Sequence, residues 1–139
     1  MTISGQHRGL VLAVLALTGL LLGACALTVD PDEARLCRMI AAGLEGGNAR
    51  LSFGGARSTA RTATANQGPS AGVALTYAST ARDGVATSGA KSIVCLFDPS
   101  RPSAAVSERL ISVETDAGPM APARLYMLKR FWLATAEGI

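Results

Sequence analysis

Three cysteines, one histidine and ten carboxylates limit the chemistry open to this 139-residue chain. The histidine, His7, precedes an uncharged run from Leu10 to Val29. If that run is a cleaved leader, His7 leaves with it. If it stays as an anchor, His7 ends on the far side of the membrane. A domain beyond residue 29 then has no imidazole, which removes Ser–His and Cys–His nucleophilic pairs and the usual His-containing zinc sites. Two serine motifs match by letters alone. GPSAG, Gly68 to Gly72, fits G-x-S-x-G, but a nucleophile elbow needs a strand before it, a helix after it and a histidine, and here a strand follows. Ser88 to Lys91 fits S-x-x-K, but a strand begins at Lys91 and the companion S-D-N and K-T-G motifs are missing. Glu114 and Asp116 are spaced for acid–base work, yet a solvated strand end is the simpler reading. No phosphate loop or calcium loop appears. No catalytic residue, cofactor or metal site is assigned.

The cysteines carry the more specific chemistry. Met1 to Gly9 bears one firm charge, Arg8, and the apolar run follows at once, which is the pattern of an export signal. Three endings compete. Leu22-Gly23-Ala24-Cys25 resembles the lipobox of bacterial lipoproteins: an aliphatic residue, two small residues, then cysteine. The resemblance is confined to residues 1–25. It implies a signal peptide over 1–24, a diacylglycerol thioether on Cys25 and a mature chain that starts there. Ala24-Cys25-Ala26 also fits the A-x-A site of a freely secreted protein. The run is also just long enough to span a bilayer uncut.

All three endings place the domain outside the cytoplasm, where disulfides persist. If Cys25 carries lipid or is removed, Cys37 and Cys95 remain, and two cysteines permit one connectivity. The alternative is a pair of buried free thiols. Two cysteines 58 residues apart without a histidine do not have zinc-ligand spacing.

These residues must be positioned by a domain of 31–139, joined to Cys25 by a short tether over 25–30. Asp30 suits an N-cap, Pro31 suits N1, and Glu33 at N3 can reach back to the cap amide. Leu36, Ile40 and Leu44, with Cys37 and Ala41 beside them, predict an amphipathic helix over 31–45, stopped by Gly46-Gly47. Alternation predicts strands over 49–53 and 73–80, the latter with Val73, Leu75 and Tyr77 inward. SIVCLFD, 92–98, is apolar on both faces and reads as a central strand. ERLISVET, 108–115, predicts a strand with Ile111 and Val113 buried. Residues 54–72 form either a weak strand near 58–65 or a loop.

A second helix is expected over 122–136, with Leu125, Leu128 and Trp132 on one face and Phe131 flanking it. Tyr126, Met127 and Leu133 fall outside that stripe. Tyr126, Lys129, Arg130 and Trp132 are therefore a possible partner surface, for a protein or a bilayer interface, set against a plain core-packing helix.

The expected fold is α+β: a small antiparallel sheet of three to five strands, with N- and C-terminal helices on one face. Net charge is +3 and scattered, so no nucleic-acid partner is expected. The pattern suits a non-enzymatic envelope accessory domain, anchored to membrane lipid through Cys25 and facing the periplasm or cell exterior, with an envelope protein as partner. The competing function is a hydrolase that works without histidine.

Overall fold

A computed structural model describes residues 28–46, 49–62, 68–81, 83–85 and 89–136. The leader, Cys25, the first residues of the tether and Ser88 lie outside the described residues.

The chain enters through helix α1, Pro31–Leu44. Asp30 Oδ1 accepts from the backbone N–H of Asp32, 2.9 Å away, and of Glu33. These bonds satisfy donors that the first turn leaves open. The Glu33 carboxylate does not act as the other half of a capping box: it accepts a 2.7 Å bond from Arg109. Leu36, Cys37, Ile40 and Ala41 are buried, as their 3–4 residue spacing demands.

Strands β1 (Arg50–Phe53), β2 (Arg57–Arg61), β3 (Ser70–Thr80), β4 (Lys91–Phe97), β5 (Leu110–Thr115) and β6 (Gly118–Pro119) form one antiparallel sheet. The order is β1-β3-β4-β5-β6. The fold is α+β, and six strands exceed the expected count only because β6 is a two-residue ladder. The eleven-residue β3 is long enough to seat two partners on one edge: β1 pairs with 77–80 and β2 with 70–74. The uncertain segment after Phe53 thus supplies a real strand, shorter than the 58–65 span suggested. Gly72 is required inside β3, because a Cβ there would stand 2.7 Å from both the Cys95 carbonyl oxygen and Leu96 Cδ2.

Val73, Leu75 and Tyr77 of β3, Ile93, Cys95 and Phe97 of β4, and Leu110 and Val113 of β5 form one buried layer beneath α1. Cys37 on α1 and Cys95 on β4 are within disulfide-bonding distance, with Cα atoms 5.9 Å apart. The pair fastens the helix to the middle of the sheet.

Two elements depart from simple periodicity. A four-residue helix, α2 (Val106–Arg109), occupies the start of the expected strand, and β5 begins at Leu110. The register then slips: Leu96 faces Ser112, whereas Phe97 faces Leu110. Ile111 is the extra residue of this bulge. Leu110 and Val113 both point inward, and Ile111 is pushed to the surface. Its expected burial is thereby corrected.

The second departure is in the C-terminal helical stretch. It comprises α3 (Pro122–Met127), a π-helical segment (Leu128–Leu133) and α4 (Ala134–Ala136). A π turn closes i to i+5 instead of i to i+4. The residue brought under Leu128 is therefore Leu133, which is fully buried, while Trp132 remains 37% exposed. The stripe through Trp132 expected from an α-helical period is corrected to Leu125, Leu128 and Leu133.

Candidate functional site

The C-terminal helical stretch stands over the end of the domain where α2 meets β5. Between them runs an open groove of about 680 Å³, lined among others by Ser107, Leu110, Ile111, Tyr126, Lys129 and Arg130. Its walls follow from the two irregularities just described. The β5 bulge turns Ile111 outward, and facing it Tyr126 comes from α3 and Arg130 from the π-helical segment.

Three of the four residues expected to form a partner surface, Tyr126, Lys129 and Arg130, come together here. Trp132 does not. Its ring lies against Gly43 of α1 on the other flank of the helix. Lys129 is also less available than its charge suggests. Its Nζ donates to the carbonyl oxygens of Leu110 at 2.9 Å and Glu108 at 3.2 Å. Those carbonyls belong to the end of α2, where a cation is favoured. Burial lowers the ammonium pKa below its ordinary value. Tyr126 and Arg130 are thus the exposed polar groups that the helix offers to the groove.

Ile111, Ser107 and Leu110 were not candidates from sequence. Alternation assigns Ile111 to the core, and a bulge leaves no mark in a six-residue apolar–polar pattern.

Beneath the groove, Arg109 ties the loop side to the start of α1. Its guanidinium is 2.7 Å from Glu33 and 3.5 Å from Asp30, and the side chains of Arg109 and Glu33 are nearly buried. Burial holds the Glu33 carboxyl above the ordinary range, with Arg109 pulling the other way. Arg109 Nε has no hydrogen-bond partner among the described residues.

The paired carboxylates of 114 and 116 do not share a cleft. Glu114 pairs with Arg61 on the open face of the sheet, in a depression lined also by Leu96, Asp98 and Pro119. Asp116 accepts from Ser92 and lines a smaller recess with Tyr77, Lys91 and Arg124. In that recess Glu45 accepts from Lys91 at 2.7 Å and from the Tyr77 hydroxyl at 3.2 Å. The Lys91 bond holds Glu45 below the ordinary carboxylate range. Burial, with the Glu45 charge second, pushes Tyr77 up to about 12. Ser70 is a buried residue at the first position of β3, with no strand entering it from the described residues 68–69.

No family model matches the chain, and no curated protein or solved structure is similar to it. Any function must therefore be argued from the site. Among the described residues, no cluster of His, Cys, Asp or Glu could hold a metal ion, and no helix is long and apolar enough to cross a membrane.

Proposed function

We propose that this chain is a lipid-anchored envelope protein: a bacterial lipoprotein acylated on Cys25 whose domain binds an envelope partner and does not catalyse a reaction. One observation carries the reading. Of three cysteines, Cys37 and Cys95 sit at bonding distance from each other. Cys25 is then left over, at the acceptor position of a lipobox-like sequence. The bonded pair suits an oxidising compartment outside the cytoplasm.

The binding half of the reading has two supports. The sequence holds no histidine after residue 7, and Glu114 and Asp116 are each engaged in separate depressions. The groove combines apolar walls with Tyr126 and Arg130, residue types enriched where proteins dock. An envelope protein is its proposed occupant.

Mass spectrometry of the protein isolated from membranes tests the anchor. A first residue Cys25 carrying diacylglycerol is the expected result. A mature chain starting at Leu27 means secretion without lipid, and an intact Met1 means an uncleaved anchor; either overturns the proposal. A photo-crosslinking residue in place of Tyr126 should capture an envelope protein, and one in place of the exposed Arg57 on β2 should not.

A further inference from the structure

We infer that the outer ridge of the C-terminal helical stretch is a second membrane contact, resting on an anionic bilayer surface. The inference builds on the lipid-anchored reading above.

The ridge is apolar where a surface helix is normally polar. Met127 and Phe131, four residues apart, share one face, and both are more than half exposed. Trp132 borders them on the α1 side and Tyr126 on the groove side. This exposure is a product of the π turn: by drawing Leu133 into the core, it leaves Phe131 outermost.

Composition favours a lipid surface. Residues 122–136 hold Arg124, Lys129 and Arg130 and no carboxylate. Lys129 is committed to backbone carbonyls; Arg130 is exposed on the groove side, and Arg124 is exposed where α3 borders the recess of Asp116. Aromatic and apolar residues on one side, flanked by cations, are the composition of helices that lie in the headgroup region of anionic membranes.

Position agrees with charge. Arg109 pairs with Asp30 and Glu33 at the start of α1, while the flanking carbonyls of Glu108 and Leu110 hold Lys129. The end of the tether and the C-terminal helix thus lie on either side of one three-residue segment. Five residues from Cys25 to the helix span under about 20 Å even when extended. The anchor would hold the ridge within reach of the surface it is attached to.

Trp132 is the sole tryptophan, so its emission reports this contact directly. The acylated full-length protein is reconstituted into vesicles of phosphatidylcholine, with or without phosphatidylglycerol. In the anionic vesicles Trp132 should shift to the blue, be quenched by brominated lipid chains and be shielded from acrylamide. A Met127→Gln/Phe131→Gln double variant should still float with the vesicles and lose all three effects. Protein that floats while its Trp132 ignores the brominated lipid overturns the inference and leaves the anchor reading standing. Failure to float overturns both. Equal effects in pure phosphatidylcholine overturn the anionic requirement. A blue shift that grows with protein concentration in detergent assigns the ridge to a second copy. Shielding seen in native envelopes but absent from lipid vesicles assigns it to a protein; either result overturns the inference.

Discussion

The indole of Trp132 lies over Gly43, and the contact leaves no room for a side chain there: a Cβ on Gly43 would stand 2.8 Å from Cζ2 and 3.0 Å from Cη2 of the ring. Glycine inside a helix costs about 1 kcal/mol relative to alanine, so its presence near the end of α1 is explained by the ring that it seats. The contact joins α1 to the C-terminal helical stretch. Gly43→Ala should displace the indole, which fluorescence would show as a red shift and stronger acrylamide quenching. The gain in helix propensity should be largely cancelled in urea unfolding. Unchanged emission with a full gain of about 1 kcal/mol would show that the ring is not seated on Gly43.

The cross-link between α1 and β4 closes a long loop, with 58 residues separating Cys37 and Cys95. In the chain-entropy account such a bridge stabilises by about 4 kcal/mol. Reduction, or the Cys37→Ala/Cys95→Ala double variant, should lower the unfolding free energy by about that amount. The difference between oxidised and reduced protein in a urea titration measures it directly, and an unchanged midpoint would contradict the pairing.

The π turn makes a prediction that a regular α-helix would reverse. Leu133 is 0% exposed and Phe131 60%. Leu133→Ala should cost about 2–5 kcal/mol, as a large-to-small change in a packed core. Phe131→Ala should stay within about 0.5 kcal/mol, as an exposed substitution. Thermal unfolding of the two variants decides which residue the helix delivers to the core.

The recess at Glu45, Tyr77 and Lys91 has a pH signature at each end of the scale. A phenol raised to about 12 favours the fold below the ordinary tyrosine range, and that contribution is lost as pH rises through about 12. The Glu45 carboxyl is lowered, so its contribution is present above about 4.5 and is lost as pH falls through its depressed value. A Tyr126→Phe variant leaves Tyr77 as the sole tyrosine. Its absorbance should then titrate near 12, and Glu45→Gln should lower that midpoint, because a neighbouring negative charge has been removed. A midpoint near 10 in the parent variant would contradict the Glu45–Tyr77 contact.

The α+β layout was legible in the amino-acid sequence because its signals are local. Asp30 and Pro31 start α1 through bonds made within one turn, and Leu36, Ile40 and Cys37 repeat at the helical period. Val73, Leu75 and Tyr77 alternate because each strand residue points opposite to its neighbour. The double-sided apolar run of β4 marked it as a central strand. The cysteine count left one pairing for Cys37 and Cys95 once Cys25 was set apart.

Tertiary structure decided what the surface offers, because the deciding contacts are between residues distant in sequence. The bulge at Ile111 is set by the register of β5 against β4, so strand alternation could not show it. The winding of 128–133 follows from core space filled by Leu133 and from Gly43, some ninety positions earlier, receiving Trp132. That packing divided the four-residue surface read from sequence. It left Tyr126, Lys129 and Arg130 along the groove and moved Trp132 to the opposite flank beside an exposed Phe131. Sequence periodicity assigns side chains to faces by assuming one residue count per turn; packing chose a different count, and with it which aromatic ring meets solvent.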